Sequence, residues 1–153
     1  MVIMTALEFF TLLASIATAV GVLLAGWQLS ESRKQARTSF EDTLSSQYRD
    51  LIQKLPVEAL LGEDLDEKHY REKLSEFYHY IDLTNEQIFL RQLGRISPET
   101  WTNWREGIKS VISRPAFVRA WNEISRRAPD SFSELRKLIK TDYAEDPKSW
   151  GKP

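Results

Sequence analysis

Glu76 and His79 form the arrangement in this sequence that comes nearest to catalytic chemistry. Residues three apart on a helix share a face, and Glu-x-x-His pairs supply ligands in four-helix bundles that hold a di-iron centre. Such a centre needs a second pair of this kind and two further glutamates from other helices. The only other histidine, His69, precedes the pair on the same predicted helix. We therefore expect no metal site and no cofactor.

Other catalytic arrangements fail on spacing or composition. Arg71 and His79 are farther apart than the arginine and histidine that are paired in helical ribonucleases. We find no phosphate-binding loop, no Ser-His-Asp order and no metal-hydrolase motif. Cysteine is absent, which excludes a disulfide framework and thiolate chemistry. The sequence therefore predicts no catalytic residue, and a membrane-tethered hydrolase is the least favoured function.

A polar cluster interrupts the apolar face of the helix that is predicted over residues 66–93. Its members are Asp82, Asn85, Glu86 and Gln87. Two interpretations are open. Asp82, Asn85 and Glu86 could form a groove for a protein partner, or the cluster could be a solvated or internally hydrogen-bonded seam.

The N-terminal segment has the length and composition of a membrane span. Residues Phe9 to Ser30 carry no charge, and about 20 apolar residues are enough to cross the hydrocarbon of a bilayer. A cleaved signal peptide would have a basic start and a shorter apolar run. Arg33, Lys34 and Arg37 follow the span, whereas no basic residue precedes it. The positive-inside rule then places the N-terminus outside and the C-terminal domain in the cytosol.

The predicted span has two unlike halves. One half is bulky, and the other carries small or hydroxyl side chains: Thr11, Ala14, Ser15, Ala17, Thr18, Gly21 and Ala25. Small residues let helix backbones approach closely in a bilayer, so this half predicts contact with another copy of the chain. A plain anchor with incidental small residues is the simpler interpretation. The polar strip that Glu8 begins on the same half would also permit a water-lined pore.

The rest of the chain predicts an all-α protein. Apolar residues recur at helical spacing, and Ser97, Pro98 and Glu99 form a helix start. We predict a transmembrane anchor over 1–30, a stalk helix over 31–55, a cytosolic helical bundle over 56–142 and a flexible tail over 143–153. The bundle core should be aromatic, with the members Trp101, Trp104, Phe117, Trp121 and Phe132.

Charge limits the partners of the cytosolic part. The chain has 21 basic and 22 acidic residues, and all of them except Glu8 follow residue 30. An evenly mixed surface lacks the basic footprint that phosphate backbones require. Nucleic acid is therefore an unfavoured partner, and the expected partners are the bilayer, further copies of the chain and a cytosolic protein.

The segment from Ile81 to Ile124 resembles a widespread bacterial family of single-span membrane proteins with a cytosolic helical domain of unassigned function. The matching residues are Asn85-Glu86, Phe89, Gly94-Arg95-Ile96, Trp101, Trp104, Gly107-Ile108, Pro115-Ala116-Phe117 and Trp121. The resemblance implies a protein of the bacterial inner membrane. In architecture alone, the chain is also similar to small single-span proteins that accompany RNA-guided antiviral systems and assemble into pores.

These observations favour a non-enzymatic, membrane-anchored protein that self-associates through its span and presents its bundle to a partner. The alternative is an oligomeric pore or channel-like effector, with a role in antiphage defence. The hydrolase is third.

Overall fold

The computed structural model describes residues 5–151, and this range is helical without a β-strand. The elements are α1 (Ala6–Ile52), α2 (Val57–Leu61), α3 (Glu67–Glu72), α4 (Leu74–Gln92), α5 (Pro98–Ile112), α6 (Pro115–Arg127), α7 (Ser133–Lys140) and a 3-10 helix (Pro147–Trp150). The all-α prediction is confirmed: a long apolar N-terminal helix is followed by a smaller helical region. The chain divides into two compact units, one up to Ser39 and one from Phe40.

The first unit contains the apolar part of α1. Thr5 and Glu8 form a capping box at its start, because the Thr5 hydroxyl accepts from the Glu8 N–H while the Thr5 N–H donates to the Glu8 carboxylate at 2.7 Å. No residue of the most apolar window of α1 is buried. Leu7 is 77% exposed and Leu23 is 74% exposed. By length and composition this helix could cross a membrane.

The second unit buries one hydrophobic core. Its fully buried large side chains include Tyr70, Phe77, Tyr80, Ile81, Ile88, Ile96, Trp101, Phe117, Leu135 and Leu138. The last turns of α1 belong to this unit: Leu44 is buried in its core, and Phe40 and Tyr48 pack against it. The sequence predicted a stalk over 31–55. The part of this segment from Phe40 onward packs into the bundle, because Phe40, Leu44 and Tyr48 recur at every fourth position on one face of α1.

Glu41 connects α1 to the start of α5. Its carboxylate accepts hydrogen bonds from the Ser97 N–H and the Thr100 hydroxyl, both at 2.6 Å. The Ser97 hydroxyl accepts from the Thr100 N–H at 3.2 Å, which confirms the predicted N-cap. A carboxylate also suits this position because the N-terminus of a helix carries partial positive charge.

The helix predicted over residues 66–93 is two helices in the structure. Lys73 leaves the helical conformation (φ −108°, ψ 6°), and this separates α3 from α4. The predicted stop at Gly94 is confirmed. Gly94 has φ +73°, its N–H donates to Arg91 O at 2.9 Å, and the Arg95 N–H donates to Leu90 O at 3.0 Å. This is a Schellman ending, in which glycine supplies the left-handed residue.

The C-terminal segment, for which the sequence predicted a flexible tail over 143–153, contacts the bundle in its described part. Its described part turns into the 3-10 helix, Pro147 is buried, and Asp146 pairs with Arg91 of α4. Gln92 also donates to Gly151 O at 2.8 Å. These partners on α4 lie more than 50 residues away along the chain, so the segment's own sequence does not reveal them.

The aromatic core is present with a different distribution of burial. Trp101, Phe117 and Phe132 are buried, whereas Trp104 and Trp121 are only partly buried. Phe117 contacts Phe77 and Tyr80 edge to face, with ring centroids 5.0 and 5.1 Å apart. Trp101 is 2% exposed, and its indole N–H has no hydrogen-bond partner in the described part of the chain.

Candidate functional site

Glu76 and His79, the pair nearest to a metal motif, are separately engaged. Glu76 accepts a hydrogen bond from the Ser75 hydroxyl at 2.7 Å and lies 3.6 Å from the ammonium of Lys73. His79 is exposed, with its ring 5.9 Å from that of Tyr78. Across residues 5–151, no three His, Cys, Asp or Glu side chains are placed to hold a metal ion together.

The predicted partner groove is only partly a free surface. Asn85 is half-buried: its Oδ1 accepts from the Leu135 N–H at 3.0 Å and its Nδ2 donates to Glu134 at 3.1 Å. Asn85 therefore joins α4 to the first turn of α7. Asp82 and Glu86 are exposed, so these two carboxylates are the members of the cluster that a partner can reach.

A charged cluster on α3 and α6 is satisfied internally. The carboxylate of Glu123 accepts from the Tyr70 hydroxyl at 2.9 Å, from Arg71 at 2.7 Å and from Arg127 at 3.1 Å. The guanidinium of Arg119 lies 3.9 Å from the centroid of the Tyr70 ring. Burial, followed by the hydrogen bond to Glu123, raises the pKa of Tyr70 to about 12. Each group has a partner, so the cluster fits a structural role.

The three proposed topology determinants lie together on the surface of α1. Arg33, Lys34 and Arg37 are exposed and, with Gly26 and Leu29, line a shallow groove of about 240 Å³. The ammonium of Lys34 lies 3.8 Å from the carboxylate of Glu31, and the side chains are 75% and 45% exposed, respectively. The groove therefore keeps a basic character at the end of the apolar stretch.

The small-residue half of the apolar helix is exposed along its length. Its members are Thr11, Ala14, Ser15, Ala17, Thr18, Gly21 and Ala25. The three hydroxyls donate within the helix, to Leu7 O, Thr11 O and Ala14 O at 2.8 to 2.9 Å. A Cβ added to Gly21 would meet no atom within 4 Å. This half is thus a flat surface whose polar hydrogens are already used.

A cavity of about 330 Å³ opens between the last turns of α1, α4 and α5. It is lined by Ser45, Tyr48 and Arg49 of α1, by Tyr80 and Gln87 of α4, and by Asn103, Trp104, Gly107 and Ile108 of α5. Tyr80, Gln87 and Ile108 are buried and form its floor, whereas Arg49, Asn103 and Gly107 are exposed at its rim. Ligand sites typically begin at about 300 Å³, so the volume suits a small molecule.

Gln87 is the unusual residue of this cavity. It is 4% exposed and lines the cavity, and its amide makes no hydrogen bond to the described part of the chain. The buried side-chain atom without a partner in that part is Trp101 Nε1, so the amide of Gln87 is accessible from the cavity. Burial also raises the pKa of the neighbouring Tyr80 hydroxyl, which therefore stays protonated. The floor of the cavity thus combines an unpartnered amide with a neutral phenol.

Gly107 is the second unusual residue. A glycine inside an α-helix costs about 1 kcal/mol relative to alanine. It is usually explained by a positive φ or by close packing, but Gly107 has neither, since a Cβ there would meet nothing within 4 Å. Its hydrogen atoms face open space at the cavity rim, so glycine keeps that rim wide.

The sequence pointed to only part of this cavity. Gln87 belonged to the polar cluster noticed on α4, but Tyr48, Trp104 and Ile108 read as ordinary core positions. The available signals were a glutamine on an apolar helical face and a glycine inside α5. No family model, no curated protein and no solved structure matches this chain.

Proposed function

We propose that this protein is a non-enzymatic membrane anchor that self-associates through its N-terminal helix and presents its helical bundle to a cytosolic protein partner. One observation carries the proposal: the most apolar window of α1 has no buried residue. Exposed apolar area costs about 25 cal/mol per Å² in water, and soluble monomers rarely expose large continuous patches of it. A bilayer covers such a helix.

The orientation is supported by the basic groove. Arg33, Lys34 and Arg37 carry three positive charges directly after the apolar stretch, and cytoplasmic flanks of spans are enriched in such residues. The proposed location is the bacterial inner membrane with the N-terminus outside, consistent with the resemblance to a bacterial family of single-span proteins.

A reporter fusion tests this orientation. A reporter that is active only in the cytosol, fused after Pro153, is expected to work. In a matched variant, Arg33, Lys34 and Arg37 are all changed to glutamine. Reporter activity should fall because the positive charges that keep this flank in the cytosol are lost. Activity of a periplasm-only reporter at the same position in the unmodified chain rejects the orientation.

Self-association is supported by the flat half of α1. Small residues allow close approach of two backbones in lipid, and each such contact is worth about 1 to 2 kcal/mol in model peptides. Because the hydroxyls of Thr11, Ser15 and Thr18 already donate within the helix, backbone packing is the main source of the contact. The same bonds leave little need for water along this strip. A packed oligomer is therefore favoured over a pore.

Crosslinking in native membranes tests self-association. Gly21→Leu places a bulky side chain on the flat half and should weaken the oligomer, whereas Val20→Leu enlarges the bulky half and should leave it unchanged. Both variants keep the span apolar, so insertion is expected to persist in each. Equal crosslinking of the two variants would show that the span is a plain anchor, and ion leakage on expression would favour the pore.

Partner binding is supported by the exposed carboxylates on α4. Asp82 and Glu86 lie one helical turn apart and are both exposed. Together they offer a small acidic surface beside the structural Asn85. Loss of a captured protein partner on Asp82→Asn and Glu86→Gln, without loss of the fold, is the expected result.

A further inference from the structure

The cavity between α1, α4 and α5 has hydrogen-bonding capacity that the described protein leaves unused. The amide of Gln87 offers a donor and an acceptor at the buried floor, and neither is bonded to the described part of the chain. These amide atoms are not among the buried unpaired atoms of the described chain, so they are accessible from the cavity. A ligand with an adjacent donor and acceptor would satisfy both atoms of this amide.

The walls of the cavity are aromatic. Tyr48 lines the α1 side and packs on the floor residue Tyr80 with ring centroids 6.2 Å apart, and Trp104 lines the α5 side. Aromatic side chains bind flat ring systems by stacking and by edge-to-face contact. These walls therefore favour a planar ring over a flexible aliphatic chain.

The charge of the cavity lies at its mouth. Arg49 is the only charged side chain among the described lining residues, and it is exposed at the rim together with Asn103. Guanidinium groups bind phosphate with paired hydrogen bonds. A ligand that fits this distribution has an uncharged planar end inside and an anionic group outside.

We propose that this cavity binds a nucleoside monophosphate, with the base against the exposed ring faces of Tyr48 and Trp104 and the phosphate near Arg49. Glutamine amides bind the hydrogen-bonding edges of bases in a bidentate manner. Gly107, which nothing in its packing or backbone conformation requires, keeps the entrance open. The site is independent of the membrane anchor and goes beyond the proposed scaffold function.

Calorimetry on the full chain in detergent micelles tests the site. AMP, GMP, CMP and UMP are titrated, each beside its nucleoside, and ribose 5-phosphate serves as the base-free control. At least one nucleotide is expected to bind saturably with one site per chain. Its nucleoside should bind about tenfold more weakly because the contact with Arg49 is lost, and ribose 5-phosphate should not bind measurably.

Four variants separate a binding role from a structural one. Gln87→Leu removes an amide that has no partner in the fold, so the melting temperature should stay equal or rise while nucleotide affinity falls at least about tenfold. Gly107→Leu should fill the entrance and abolish binding, whereas Ser110→Leu adds the same side chain at an exposed position of α5 and should not. Arg49→Ala should reduce nucleotide affinity to that of the nucleoside and leave nucleoside affinity unchanged.

The proposal is overturned if none of the four nucleotides binds saturably, or if ribose 5-phosphate binds as well as a nucleotide. It is also overturned if binding survives Gly107→Leu. Should Gln87→Leu fail to fold, Gly107→Leu decides alone: loss of binding with an intact circular dichroism spectrum supports the site, and retained binding rejects it.

Discussion

The guanidinium of Arg91 and the carboxylate of Asp146 form a two-pronged ion pair that joins α4 to the segment before the 3-10 helix. The distance from Arg91 Nε to Asp146 Oδ1 is 2.8 Å, and the third guanidinium nitrogen, Nη1, donates to Ile96 O at 2.8 Å. Only 4% of the Arg91 side chain is exposed, against 40% for Asp146. The buried arginine therefore depends on the C-terminal segment for its counter-charge.

Asp146→Ala should destabilise the bundle by about 1 to 3 kcal/mol, the usual cost of leaving a buried donor without its partner. The lower half of that range is expected because Asp146 is partly exposed and Arg91 keeps its hydrogen bond to Ile96 O. Urea unfolding of the full chain in detergent, followed by tryptophan fluorescence, measures it. The control is Asp142→Asn, in an exposed pair with Lys109, which should change the free energy of unfolding little. Equal effects of the two substitutions would contradict a structural role for the Arg91–Asp146 pair.

The same pair predicts a pH dependence. The hydrogen bonds from Arg91 lower the pKa of Asp146 below its ordinary value. A carboxyl whose pKa is lowered by folding stabilises the fold above its unfolded pKa of about 3.9, and this contribution is lost as the pH falls through the folded value. Unfolding free energies between pH 7 and pH 2 should therefore decline more steeply in the wild type than in Asp146→Asn. Parallel curves would show that protonation of Asp146 is not coupled to unfolding.

Burial distinguishes two tryptophans of α5. Trp101→Ala should cost about 3 to 5 kcal/mol, the range for a fully buried large aromatic, and Trp104→Ala clearly less because its side chain lies at a cavity wall. Trp101→Phe should be milder than is typical for tryptophan, since the indole N–H has no partner among the described residues. Denaturant midpoints of the three variants give the order, and a larger effect at Trp104 would reverse this description of the core.

Substitution of Asn85 should lower the stability of the fold, whereas substitution of its exposed neighbours Asp82 and Glu86 should not. Asn85→Ala removes the acceptor for the Leu135 N–H and should cost about 1 kcal/mol, as the loss of a helix cap does. Asp82→Ala and Glu86→Ala should each change stability by less than about 0.5 kcal/mol. Thermal unfolding followed by circular dichroism measures all three. An unchanged melting temperature for Asn85→Ala would show that the side chain makes no structural contribution.

Local signals in the sequence determined much of the fold. The charge-free stretch before Ser30, the cap at Ser97 and the glycine stop at Gly94 all depend on a few neighbouring residues, so they could be read without a structure. The all-α class follows for the same reason, because helical periodicity is local. The helix break at Lys73 is different. No glycine or proline marks it, and sequence pattern alone predicted one continuous helix.

Only the tertiary structure decided which polar residues make structural hydrogen bonds and which are exposed at the surface. Asn85 and Asp82 read as equivalent members of one cluster, yet the fold places the first against α7 and leaves the second exposed. Asp146 read as part of a loose tail until Arg91, 55 residues earlier, supplied its partner. The cavity at Gln87 likewise needs three helices that are distant along the chain. Sequence pattern is a local property, whereas burial and pairing depend on long-range packing, and that packing assigned these roles.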